Sequence, residues 1–93
     1  MIKNGWMMHL TEEQLNVIEE MASLFYRLED IADNLQINSM LLMDMYEQKT
    51  EVYTRYKKGY LSADIALRKS IKISAQNGSN PAQVLFNNFK NAL

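Results

Sequence analysis

Apolar side chains along this chain return at intervals of three and four, the period of an α-helix and not of a strand. Leu15, Ile18, Ala22 and Phe25 form the first such stripe, flanked by Met21, Leu24 and Leu28. Thr11-Glu12-Glu13-Gln14 precedes it and reads as a capping box. The two acids also suit the positive end of a helix dipole. A first helix is therefore expected from about Glu12 to Tyr26. A short second helix should start at Leu28-Glu29-Asp30 and turn Ile31, Ala32 and Leu35 inward. The next break is Gln36-Ile37-Asn38-Ser39, where Asn38 or Ser39 can cap a third helix. Leu42, Met45, Tyr46, Tyr53, Tyr56 and Tyr60 then fall on one broad stripe. They predict a single rod from Ser39 to about Lys58, ending near Gly59 as a left-handed stop.

Beyond Gly59 the pattern predicts a fourth helix capped by Ser62, with Asp64 in its first turn. Ile65, Leu67, Ile71 and Ile73 are its apolar positions, and Arg68, Lys69 and Lys72 its polar face. Asn77-Gly78 should end it. Asn80 is read as the cap of a last helix, with Pro81 at the first helical position. Ala82, Leu85, Phe86, Phe89 and Leu93 make a one-sided stripe that must be covered. No run carries the alternation and turn dipeptides of a strand. The expected fold is all-α, a small helical domain of four to five helices with an N-terminal helix-turn-helix. It divides into a flexible N-terminus (1–10), the helix-turn-helix with its extended third helix (11–60), and a C-terminal helical hairpin for oligomerisation (61–93).

Composition narrows the function. Ninety-three residues make at most one domain, burying only about 60–65% of the unfolded surface, so a partner chain would help. The chain has no Cys and a single His, His9, which excludes thiolate and His-rich metal sites. No apolar run is long enough to span a membrane, and the N-terminus lacks a signal peptide's apolar region. The expected compartment is the cytoplasm, in a bacterial host. No phosphate loop, nucleophile elbow or metal spacing is present, and Glu12-Glu13 and Glu19-Glu20 read as a solvated face. We expect no catalysis and no cofactor.

The net charge of −1 conceals an asymmetry. Residues 1–47 hold two cations against nine acids, net −7, while residues 48–93 hold eight cations against two acids, net +6. Such a basic half suits either an acidic ligand or an acidic surface of the same protein.

Leu28 to Tyr46 has the layout of a helix-turn-helix. The small Ala32 sits at the close crossing, Leu35 and Ile37 plug the elbow, and Leu41, Leu42 and Met45 anchor the second helix. Asn38, Ser39, Met40, Met43, Asp44 and Glu47 point outward. Asn can read a base edge and Ser can contact phosphate. The plainer reading is three packed helices. Arg55, Lys57 and Lys58, interleaved with Tyr53, Tyr56 and Tyr60, could bind a phosphate backbone, although tyrosines at this spacing more often pack on a core or an interface. The seven Met residues fit core filling, apart from Met7, Met8, Met40 and Met43, which could form an adaptable groove.

The order of these features resembles the small terminase subunits of tailed phages and prophages. The resemblance rests on LFYRLEDIADNLQI as brace and turn, YTRYKKGYLSADIALRKSI as a junction into a basic helix, and AQNGSNPAQVLF as the closing hairpin. It implies a non-enzymatic protein that assembles as a ring, recognises viral double-stranded DNA for packaging, and hands it to a separate large terminase motor. By position, Asn38, Ser39, Met40, Met43 and Asp44 would form the reading face. Arg55, Lys57, Lys58, Arg68, Lys69 and Lys72 would contact the DNA backbone, and Leu85, Phe86 and Phe89 would join subunits in a homo-oligomer. The reading helix carries no Lys or Arg, which points to binding through the basic residues around a ring. Two alternatives stand beside this one: a helical protein-protein interaction module without nucleic acid, and a helix-turn-helix transcription regulator working as a dimer.

Overall fold

A computed structural model describes residues 9–92. It is all-α, with five helices in the order α1 (Glu12–Ser23), α2 (Leu28–Leu35), α3 (Ser39–Glu47), α4 (Glu51–Gln76) and α5 (Asn80–Asn91). The chain forms two compact units, Met1–Tyr60 and Leu61–Leu93. Helix α4 contributes residues to both. The segment expected to be a flexible N-terminus lies, through residue 8, outside the described residues.

The starts of α1, α2 and α3 follow the sequence. Thr11 Oγ1 accepts from the Gln14 backbone N–H at 3.1 Å, and Gln14 Oε1 accepts from the Thr11 N–H at 2.9 Å, completing the capping box. Glu29 and Asp30 occupy the first turn of α2. Asn38 caps α3 by accepting from the Leu41 N–H at 3.1 Å. At the head of α4, Thr50 Oγ1 donates to the Met45 carbonyl at 2.8 Å and accepts from the Val52 N–H at 3.3 Å.

The ends of α2 and α4 fall where the sequence places them, at Gln36 and at Asn77–Gly78, while those of α1 and α3 do not. All four close on the same pair of backbone hydrogen bonds around one left-handed residue, the Schellman arrangement. Phe25 (φ 67°) ends α1, with Tyr26 N–H donating to the Met21 carbonyl at 3.1 Å and Phe25 N–H to Ala22 at 2.9 Å. Gln36 (φ 59°) ends α2, with Ile37 N–H reaching Ala32 at 2.9 Å and Gln36 N–H reaching Asp33 at 3.1 Å. Lys49 (φ 57°) ends α3, and Gly78 (φ 96°) ends α4, through the equivalent bonds.

Several expectations are thereby corrected. Helix α1 stops at Ser23, not near Tyr26, because Phe25 leaves the helical conformation. The rod predicted from Ser39 to Lys58 is two helices, broken at Gln48–Thr50 by Lys49. Gly59 does not stop a helix, and Ser62 caps none; both lie inside α4. Ser79, not Asn80, caps α5, accepting from the Ala82 N–H at 3.4 Å, and Pro81 follows Asn80 into the first turn.

Within the first unit, Leu15, Ile18, Ile31, Ala32, Ile37, Leu42, Met45 and Val52 form one buried cluster. Ile18, Ile31, Ala32 and Leu42 are wholly inaccessible. Ala32 and Ile37 thus occupy the crossing and the elbow expected of them. Gly59 faces α1, where a Cβ would land on the Glu19 carbonyl and lie 3.2 Å from the Ala22 Cβ. A side chain is absent there because α1 and α4 approach too closely for one.

The second unit is a hairpin of Leu61–Gln76 with α5, joined through Asn77–Ser79. Its only buried apolar side chains among the described residues are Ala75 and Ala82. Gln83 Nε2 donates to the Ala75 carbonyl at 3.1 Å and holds the turn end closed. Leu61, Ile65, Leu67, Ile73, Val84 and Leu85 remain exposed.

Candidate nucleic-acid interface

Helix α3 is positioned by the three residues between α2 and α3. Gln36 reverses the chain, Ile37 is buried, and Asn38 starts the next helix. This turn aims one face of α3 outward. On it Met40 is 78% exposed and Met43 46% exposed, with Asp44 and Glu47 alongside. Asn38 spends its side-chain oxygen on the cap, and Ser39 is half-buried. Asp44 Oδ2 accepts from Gln48 Nε2 at 3.0 Å. The five expected reading residues, Asn38, Ser39, Met40, Met43 and Asp44, therefore lie together at the start and along one side of α3, and no cation is among them.

The cations of the first unit are mostly engaged by acids. Arg55 Nε donates to Glu19 Oε1 at 2.7 Å and its Nη1 to Glu12 Oε2 at 2.9 Å, while Nη2 donates to Asn16 Oδ1. Its side chain is only 19% exposed. The hydrogen bond from Arg55 is the main reason that the Glu19 carboxyl titrates below its ordinary range, and the Lys58 ammonium, 3.7 Å from Glu19, adds to it. The same bond to Glu19, then that to Glu12, raises Arg55 above its already high value. Arg27 is held by Glu29 at 2.8 Å and Asp30 at 3.7 Å. Lys49 lies 4.3 Å above the Tyr53 ring. Lys57 is half-buried and has no ion-pair partner among the described residues. Residues 1–60 carry six cations against ten acids, net −4.

The tyrosines interleaved with these cations pack on one another. Tyr46 meets Tyr53 with centroids 5.0 Å apart and meets Tyr56 edge-on at 5.6 Å; Tyr56 stacks on Tyr60 at 6.4 Å. The Tyr56 hydroxyl donates to the Tyr26 carbonyl at 3.1 Å. Burial, and then its tyrosine neighbours, push its pKa up. Packing of this kind leaves little ring face for bases to stack on.

Arg68, Lys69 and Lys72 belong to the second unit and are all exposed. At offsets of 0, 1 and 4 they share an arc of about 100° on α4. Arg68 pairs with Asp64 at 3.1 Å and lies 4.1 Å above the Phe89 ring. Residues 61–93 hold four cations and one acid, net +3. Of the residues expected at a subunit contact, Leu85 is exposed; Phe86 and Phe89 are half-buried, with Lys90 5.4 Å above Phe86.

Two features escaped the sequence. The first is the cluster of Arg55 with Glu12, Asn16 and Glu19, whose partners stand 36 to 43 positions apart. The second is a groove of about 460 Å³ lined by Arg27, Leu28, Glu29, Met43, Tyr46, Glu47 and Tyr56. Met43 gave the one signal for it, an apolar residue on an outward face. Among the described residues there is no cluster of acids and His that could hold a metal, and no helix long and apolar enough to cross a membrane.

No protein-family model matches the chain, and neither a curated protein nor a solved structure matches it.

Proposed function

We propose that this is a non-enzymatic DNA-binding protein of the small terminase type, acting as a homo-oligomer that recognises viral double-stranded DNA for packaging and passes it to a large terminase motor. One observation carries the reading. A tight helix-turn-helix, with only Gln36–Asn38 between α2 and α3, precedes a hairpin that is net positive and leaves its apolar residues uncovered. Uncovered apolar surface favours association of copies. Each copy then contributes a few phosphate contacts, and assembly adds them.

The cations best placed for this role are Lys57, Lys69 and Lys72, which form no ion pair among the described residues. Arg55, Lys58 and Arg68 would first have to give up carboxylate partners. Phosphate binding of this kind weakens steeply with salt, with a slope of about −0.9 per phosphate neutralised. Fluorescence anisotropy with a duplex at two salt concentrations tests it. The reading expects tight binding at low salt, a steep loss on adding salt, and a shallower slope with weaker binding for the Lys69→Glu/Lys72→Glu variant. Absence of binding at low salt defeats it.

A second reading, a protein-interaction module that does not touch nucleic acid, is favoured by the outward face of α3, where Met40, Met43, Asp44 and Glu47 would meet a phosphate backbone with acids and no cation. The same titration separates the two.

A further inference from the structure

The groove on the first unit is made by the head of α2, the outer side of α3 and the ring of Tyr56. Its floor is apolar: Leu28, Tyr46, Tyr56 and the thioether of Met43. That floor is fixed before any ligand arrives. Tyr56 is tied by its hydroxyl to the Tyr26 carbonyl, and Tyr46 is wedged against Tyr53 and Tyr56. Met43, half out in solvent, forms a lip that can adapt to different anchors.

The rim is net acidic: Glu47 on α3 has no ion-pair partner among the described residues, and Glu29 on α2 shares Arg27 with Asp30. Arg27 is the rim's single cation, and its guanidinium is already taken by Glu29 and Asp30. Asp44 and Glu47 lie one turn apart on α3, so negative charge continues along that edge. A phosphate backbone is repelled by such a rim. A chain with a large apolar side chain at its centre and Lys or Arg on either side satisfies floor and rim together. Seating an amphipathic helix in this way needs only a preformed apolar trough and complementary edges.

We infer that this groove is a docking site for a basic amphipathic helix of a partner protein, with an apolar anchor seated on Leu28, Tyr46 and Tyr56 and its flanking cations facing Glu29 and Glu47. The outward side of α3, which by position in a helix-turn-helix would read DNA, then serves protein recognition, and phosphate contacts fall to other residues. The inference does not require DNA binding.

The test uses the full chain and a labelled helical probe peptide with Leu at i, i+3, i+4 and i+7 and Lys at the remaining positions. Two controls carry Glu in place of Lys, or the same composition with the Leu stripe scrambled. The Lys probe should bind at least about tenfold more tightly than either control, a difference of about 1.4 kcal/mol. Met43→Lys and Glu47→Lys change exposed side chains, and circular dichroism should show them folded. Each should weaken the Lys probe by about tenfold or more. Equal binding of Lys and Glu probes overturns the inference, as does equal binding of the scrambled probe, which would mean charge alone. So does loss of self-association by Met43→Lys in light scattering, which would assign the groove to a second copy. Duplex DNA run beside the peptide keeps the two readings apart. Glu47→Lys should leave any DNA binding unchanged or stronger, and loss of DNA binding in that variant would return α3 to a reading role.

Discussion

The two units of this chain solve the same problem, burying helix faces in a short sequence, with opposite results. The first unit gathers eight apolar side chains from α1 to α4 into one cluster, and four of its core residues are wholly inaccessible. The second pairs two helices, yet among its described residues only two alanines are buried, while six larger apolar side chains stay exposed. The difference lies in the number of helices. Three short helices and the first turns of α4 enclose a volume, whereas two helices in a hairpin can only share a seam. A seam lined by Ala75 and Ala82 brings backbones close but removes little apolar area from water, and burial is what offsets the ordering of the chain. The first unit is therefore stabilised from within. The second leaves its largest apolar side chains on the outside.

The sharpest way to break this contrast is a pair of truncations. Leu42→Ala removes a wholly buried side chain and should cost about 3–4 kcal/mol. Leu85→Ala, at a site 45% exposed, should change the stability of dilute protein by no more than about 0.5 kcal/mol while weakening self-association. Urea melts at low concentration, with light scattering at high concentration, measure both. Equal costs for the two truncations in dilute protein would mean that the hairpin has a core of its own.

Gly59 sharpens the contrast from the packing side. Alanine in the middle of a helix normally helps by about 1 kcal/mol over glycine. Here the added Cβ would meet the backbone of Glu19, its carbonyl carbon at 2.9 Å, and backbone cannot swing aside as a long side chain can. We expect Gly59→Ala to be destabilising by roughly 2 kcal/mol in spite of its propensity. Thermal melts followed by circular dichroism should show a fall in Tm of about 8–16 °C on that basis. A rise in Tm would show that α1 and α4 do not approach so closely.

Gly59 also shows where the sequence was legible and where it was not. The beginnings of α1, α2 and α3 are local events: Thr11 with Gln14, Glu29 with Asp30, and Asn38 each act within one turn, so the residue types announce them, whereas Ser62, equally suited to a cap, lies inside α4. Helix endings in the first unit depend on Phe25, Gln36 and Lys49 in left-handed conformations, which cost an L-residue roughly 1–2 kcal/mol each. No residue type signals such a choice, because the compensation comes from burial elsewhere, as with Ile37 behind Gln36. A glycine was the natural candidate for a stop, and at Gly59 the absence of a side chain serves a helix crossing instead. The all-α fold and the Ala32–Ile37–Leu42 packing were thus readable from spacing. The break at Lys49 that divides the expected rod, the engagement of Arg55 and the lining of the groove beside Met43 were not, since each depends on partners brought together only by the tertiary fold.

Arg55 leads to the smallest effect and the most direct check on how the first unit uses its charges. Its guanidinium holds the Glu19 carboxyl below the ordinary value of 4.5, with Lys58 assisting. A carboxyl whose folded-state pKa lies below its unfolded value stabilises the fold fully above the unfolded value. That contribution is lost as the pH falls from about 4.5 through the lower, folded value. Glu19→Gln removes the titration while keeping an oxygen for Arg55 to bond, so the variant should lose a little stability at neutral pH and show a flatter decline in acid. The effect is modest because the site is partly open to water, which screens it. In an Arg55→Met background the two acid limbs should lie closer together, since the main cause of the shift has gone and Lys58 alone remains. Tm measured across the acid range for the four proteins reads this out, and a carboxyl NMR titration of Glu19 reads the same quantity at the atom. If the wild-type and Glu19→Gln limbs run parallel, Glu19 does not hold Arg55 in solution, and Glu12 and Asn16 are left as the partners of the arginine.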